Sequence, residues 1–188
     1  MAFLENDNLF LRALEPEDLD ILYEWENNSE LWKYGSTLMP YSKFALRDYL
    51  TNSLQGIVYS RQLRLMAIEK ETRATVGTVD LFDYDPIHQR AGIGILVDTP
   101  YRRKGWGAGI LLLTAGYAFN NLYLNQLYAY IPVSNTNSFK LLSKCGYEQA
   151  GLLKSWLKTS AGFEDVRLMQ LINEVTCDAW RGAHHLPL

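Results

Sequence analysis

The stretch Arg102-Arg103-Lys104-Gly105-Trp106-Gly107 joins three cations to two glycines at Arg-x-x-Gly-x-Gly spacing. It follows an apolar run, Ala91 to Val97, and precedes a helix-like run, Ala108 to Leu122. Glycine lets a ligand approach the backbone closely. The free N–H groups of such a turn, and of the helix start behind it, favour an anion. Strand, basic glycine turn and helix in that order make a cradle for phosphate. An ordinary basic turn capping a helix has the same local sequence, so context must decide. A Walker loop needs Ser or Thr after the Lys, and Gly105-Trp106 follow Lys104 instead. A dinucleotide fingerprint needs a third glycine and a downstream acid, and Asn120 to Gln126 contains none.

The context is a second segment, Val133-Ser134-Asn135-Thr136-Asn137-Ser138, followed by a run ending in Cys145-Gly146-Tyr147. Asn, Thr and Ser over 135–138 can cap a helix start, and Gly146 suits the left-handed residue just past its end. The two segments together resemble the GNAT family of acetyl-CoA-dependent N-acetyltransferases. The family's acyl-CoA motif matches Arg102, Gly105 and Gly107. Its later Asn-x-x-Ser motif, short helix and Gly-aromatic pair match Asn135, Ser138, Gly146 and Tyr147. The resemblance spans roughly residues 8 to 174 and lies nearest the spermidine and ribosomal-protein alanine N-acetyltransferases.

That resemblance implies an α/β fold: a mixed, mostly antiparallel central sheet flanked by helices, with two strands splayed apart. Residues 91–98 and 126–132 would be the splayed pair. It also implies an activity: an acetyl group moves from acetyl-CoA to a primary amine by direct attack through a tetrahedral intermediate. The acceptor is a small-molecule amine such as a polyamine, or a protein N-terminus. A non-catalytic acyl-CoA sensor on the same fold is the alternative. Arg102, Arg103, Lys104, Gly105 and Gly107 would hold the diphosphate. Trp106 would pack under the cofactor or into the core. The strand edge at Ile95, Leu96 and Val97 would pair with the pantetheine amides, and Asn135 would hydrogen-bond the same arm.

The acceptor amine must lose a proton before attack, and the CoA thiolate must gain one after it. The family's usual proton donor, a Tyr on the short helix, corresponds to Leu142. A Glu common in spermidine enzymes corresponds to Gly92. Ser138 is the substitute acid by resemblance to the ribosomal-protein enzymes, although helix capping explains it equally. Asp80 could take the amine proton through water, and Asp83 matches a cation-binding position. Three positions apart, these carboxylates face the same side of a strand only if a bulge intervenes. The acceptor pocket would draw on Glu24 to Pro40, with Trp25, Trp32, Tyr34 and Tyr41 as walls or as core.

The elements that position these residues follow from pattern. Leu9 to Leu14 forms a first strand, and Pro16 opens a helix whose face carries Leu19, Leu22 and Tyr23. Ser42 to Leu54 is a second helix. Strands follow at Arg64 to Glu69, Ala74 to Tyr84 and Gly92 to Val97, the last buried on both faces. Gln126 to Pro132 is the next, and Tyr147 to Leu157 pairs with Glu164 to Ile172. Residues 1–175 make one domain, with 176–188 as a tail. The 188 residues are 48% hydrophobic with a formal net charge of -3, which gives no global field for nucleic acid or anionic membrane. No run approaches the ~20 apolar residues of a bilayer span. Cys145 and Cys177 lack metal-ligand spacing, no metal is expected, and the histidines sit in a turn and the tail. A reducing, cytoplasmic location and a homodimer or larger homo-oligomer are the remaining expectations.

Overall fold

Alternate residues of the central strands are apolar on both sides, so the sheet must be covered twice. In the computed structural model, which describes residues 4–32, 39–53 and 56–174, Leu65 and Ala67 belong to one core while Met66 and Ile68 belong to the other. Strands β1 (Leu9–Ala13), β2 (Leu63–Glu69), β3 (Thr75–Asp85), β4 (Arg90–Val97), β5 (Gln126–Pro132), β6 (Glu148–Thr159) and β7 (Gly162–Ile172) form one sheet in the order β1-β2-β3-β4-β5-β7-β6. Every neighbouring pair is antiparallel except β4 and β5.

The larger core lies under helices α5 (Trp106–Asn120) and α6 (Thr136–Lys144). The smaller core lies under α1 (Leu19–Glu26), which packs against α3 (Lys43–Ser53). Two single-turn helices, α2 (Ser29–Trp32) and α4 (Ile57–Ser60), complete the connections, and Ile57 of α4 packs against the larger core. Among the described residues no helix is long and apolar enough to cross a membrane.

Several boundaries differ from the sequence reading. The central helix starts at Trp106, two residues early, because Gly105 adopts a left-handed φ of 90° and the chain turns helical at once. On α1 the buried stripe is Leu22 and Trp25, and Tyr23 is exposed. Trp25 stands three residues beyond Leu22 and shares its face, whereas Tyr23 is rotated ~100° away. Trp25 is therefore core, not pocket wall. Strand β4 is buried on both faces only through Ile93; residues 94–97 are half-buried, because their neighbour has moved away. Tyr34, Leu54, Cys177, the tail histidines and the whole 176–188 tail lie outside the described residues.

Candidate active site

β4 and β5 pair in parallel at only three positions, Arg90 with Gln126, Ala91 with Leu127 and Gly92 with Tyr128. β4 then runs on to Val97 and β5 to Pro132 with no further pairing between them. A wedge-shaped gap opens whose apex is Gly92 and Tyr128. Ile95 and Val97 pack toward α5, and Leu96 packs toward the α1 side. The side chains of this run are thus used by the two cores, and the backbone edge is what faces the gap. Such an edge offers N–H and C=O groups at the spacing a ligand amide needs.

At the open end the chain makes a tight turn. Asp98 accepts the Thr99 N–H at 2.7 Å, and Arg102 Nε donates to the Val97 carbonyl at 2.9 Å. Arg103 is left-handed at φ 61° and Gly105 at φ 90°. No side chain caps α5, so its first N–H groups point outward into a cleft of about 430 Å³. Lys104, Gly105 and Trp106 line it on one side, Asn6 and Asn8 on the other. The Trp106 ring packs against the larger core, and its buried Nε1 has no partner among the described residues. A Cβ on Gly105 would meet nothing within 4 Å, which leaves the cradle open. A Cβ on Gly107 would stand 2.9 Å from Leu141 Cδ2. The second glycine therefore serves the contact between α5 and α6. The uncapped helix start and Lys104, with Arg102 and Arg103 in the same turn, fit a diphosphate.

Asn135 caps α6 by accepting the Ser138 N–H at 3.1 Å. Its amide nitrogen has no partner among the described residues and is free to donate. Ser138 is half-buried at the helix start. Leu142 is 3% exposed within the larger core, so the usual donor position is both apolar and sealed.

The other face of the gap is built from side chains of one parity. Asp80 holds Arg64 through two bonds, Nε at 2.7 Å and Nη2 at 3.0 Å, while Glu26 of α1 takes Nη1 at 2.5 Å. Tyr49 lies against the same guanidinium, 5.4 Å from centroid. Burial alone would lower the Arg64 pKa, but the Asp80 and Glu26 carboxylates raise it above the usual arginine value. Burial also pushes the Tyr49 phenol up. Asp80 and Ser138 sit on opposite layers of the sheet.

Beside this network, β3 and β4 lose register between Phe82 and Asp85. Asp83 occupies that bulge at φ 50°, a left-handed conformation that Asp tolerates. The Phe82 ring fills the space over Gly92: a Cβ there would lie 2.2 Å from it. The missing Glu is thus replaced by an aromatic ring. Phe82 meets Tyr128 edge-on at 6.1 Å, and Tyr128 meets Tyr130 edge-on at 5.6 Å. Tyr130 is in turn stacked on Trp156 at 6.5 Å. Burial, then the nearby Asp83 carboxylate, push the Tyr128 phenol up to about 12.

Trp156 reaches Tyr130 because β6 is bulged between Leu153 and Leu157. Asp165 pins that bulge through the Ser155 N–H at 2.8 Å and Lys154 Nζ at 2.9 Å. Sequence reasoning missed Arg64, Glu26, Phe82, Tyr128, Tyr130 and Trp156. The Tyr pair carried a signal: Tyr128 and Tyr130 alternate with Leu127, Ala129 and Ile131 on an expected splayed strand. No local pattern marks Arg64 or Trp156.

A basic glycine turn at a helix start, set behind two diverging parallel strands, is the arrangement expected of an acyl-CoA-dependent acyltransferase. The family model for the GNAT acetyltransferase domain matches residues 8–148. The chain belongs to that family, and its acetyl donor is acetyl-CoA. The spermidine N(1)-acetyltransferase of Vibrio cholerae is 26% identical over 167 residues, covering 89% of this chain and 94% of that one. A crystal structure of the Vibrio cholerae spermidine N-acetyltransferase with CoA and spermine has a TM-score of 0.81 at 24% identity, covering 90% and 98%. A dodecameric structure of that spermidine N-acetyltransferase has a TM-score of 0.77 at 24% identity, covering 93% and 99%. This chain is an acetyltransferase that delivers its acetyl group to an amine.

Proposed function

We propose that the acceptor is a small alkyl primary amine carrying more than one positive charge. The observation that carries this reading is the composition of the face opposite the cofactor cradle. Glu26, Asp80 and Asp83 outnumber Arg64 there, and Tyr128, Tyr130 and Trp156 extend from the apex as aromatic surface. Carboxylates attract an ammonium, and ring faces stabilise a second cation or its methylene chain. The spermidine acetyltransferase resemblance supports the same class, and the dodecameric relative supports a homo-oligomer.

In this reading the turn 102–107 holds the diphosphate, and the edge 95–97 aligns the pantetheine arm. Asn135 Nδ2 and the Ser138 hydroxyl hold that arm from the head of α6. A free N–H on the β4 edge meets the thioester oxygen, where a preorganised donor contributes several kcal/mol to the tetrahedral state. Asp80 orients Arg64 and keeps the acceptor side negative. Asp83 binds the incoming ammonium, whose first proton leaves to water.

The test is thiol release from acetyl-CoA with diamines and polyamines, amino acids and peptides offered in parallel. Polyamines are expected to give the highest kcat/KM. Preference for a peptide N-terminus would overturn the substrate class. The sealed Leu142 favours one second reading, an acetyl-CoA sensor, which predicts cofactor binding without turnover on any amine.

A further inference from the structure

The departing thiolate needs a proton, and the position that usually supplies one is an apolar side chain buried in the core. Among the described residues, the other hydroxyl groups placed at the gap are Ser138, at the head of α6 on one layer, Tyr130, two residues farther along β5 and 43% exposed, and Tyr128, at the apex itself. Tyr128 is the last β5 residue paired with β4, so its ring marks the point from which the two strands diverge. Its parity turns it away from Leu127 and Ala129 and onto the acceptor side. The ring is fixed on two sides by the edge contacts to Phe82 and Tyr130. Asp83 follows Phe82, whose β4 partner Gly92 pairs with Tyr128, and its carboxylate acts on the phenol, while Arg90 acts in the opposite sense.

We propose that the Tyr128 hydroxyl protonates the departing CoA thiolate, and that Asp83 beside it returns the proton to the phenol. This rests on the acetyl-transfer reading above. The steps balance. The neutral amine nitrogen attacks the thioester carbon, a C–N bond forms, and the carbonyl π pair moves onto oxygen. When that pair returns, the C–S bond breaks and sulfur keeps its electrons. Sulfur takes the Tyr128 proton and becomes the thiol. The new amide nitrogen gives up its extra proton to Asp83, which passes it to the phenolate. One ammonium and one thioester become one amide, one thiol and one proton already released to water.

A raised phenol is a weaker acid than an ordinary one, so what it offers here is availability as a donor and not driving force. It is fully protonated at neutral pH and is never lost as a donor to solvent. The uphill transfer to sulfur completes because the phenolate is neutralised at once by the nitrogen proton. Leu142 does not weaken the enzyme on this account, in which the donor stands on β5 and not on α6.

The experiment uses the full chain with acetyl-CoA and its best amine. Tyr128→Phe keeps both ring contacts, so folding and acetyl-CoA affinity are expected to persist while kcat falls by roughly 10- to 100-fold. A second variant carries 3,5-difluorotyrosine at 128, whose phenol is more acidic. It is expected to keep turnover at neutral pH and to lose it at an alkaline pH where the parent chain is still active. A fully active Tyr128→Phe variant would overturn the proposal. So would a difluorotyrosine variant with the parent's pH profile, because a merely structural ring does not move that limb. Absence of turnover by the parent chain on every amine would instead overturn acetyl transfer itself, and this inference with it.

Discussion

The two sides of the gap are made in different ways. The side proposed for the cofactor is mostly backbone, with an uncapped helix start, a left-handed glycine and an unpaired strand edge within residues 93–107, joined by Asn135 and Ser138 at the head of α6. The acceptor side is made of side chains from α1, α3, β2, β3, β5 and β6, brought together across the sheet. A diphosphate and two amides are the same for every member using this coenzyme, so fixed N–H and C=O groups serve them. An acceptor differs from enzyme to enzyme, and side chains are what can change without altering the fold.

This contrast predicts that the acceptor side is sensitive to lost charge and the cofactor side to added volume. The largest effect is expected from Arg64→Met. It leaves Asp80 and Glu26 together without their cation at sites only 20% and 22% exposed. A loss of about 3–5 kcal/mol in urea unfolding is expected. A loss below about 1 kcal/mol would show that water solvates the network as it does a surface pair.

Gly107→Val comes next. Its side chain meets Leu141 and forces α6 away from α5, at about 1–3 kcal/mol. Acetyl-CoA affinity measured by calorimetry is expected to fall with it, since Asn135 moves with α6. Retained affinity would separate the cradle from that packing contact. Gly105→Ala, with open space but a left-handed φ, is expected to cost about 1–2 kcal/mol from strain alone. Asn135→Ala removes the α6 cap and is expected to cost about 1 kcal/mol, with weaker cofactor binding.

The smallest effect is a pH response on the acceptor side. The Ser155 N–H, then Lys154, hold Asp165 below the usual carboxylate range. A depressed folded pKa stabilises above the ordinary value and is lost as pH falls through the folded one. Acidification below the ordinary carboxylate range is therefore expected to loosen the β6 bulge and free Trp156 from Tyr130. The difference in tryptophan fluorescence between the parent chain and Trp156→Phe reports it, and a flat difference would detach the bulge from Asp165.

Legibility in the sequence followed the same division. The glycine turn and the cap at Asn135 were readable because each is contiguous and depends on local chemistry, glycine at positive φ before a helix start and an Asn before a helix, whereas the splayed strands were legible only through the family resemblance. Even the need for a bulge at Asp83 was readable, from the odd spacing to Asp80. Gly92 was readable only as a missing Glu. That Phe82 covers it depends on antiparallel register, which no nearby residue reveals. Asp80 was identified as a carboxylate facing the cleft, yet its partner Arg64 stands on another strand.

The chain's sequence by itself determined its family, its cosubstrate and the basic glycine turn before the central helix, because these depend on two short contiguous motifs, at 102–107 and 135–147. Only the tertiary structure decided which phenol stands at the apex, which aromatic rings form the acceptor wall and which carboxylate is tied to an arginine. Those outcomes depend on strand register and on bulges at Asp83 and Ser155. Register is set by how the whole sheet buries two faces at once, and not by any segment read alone.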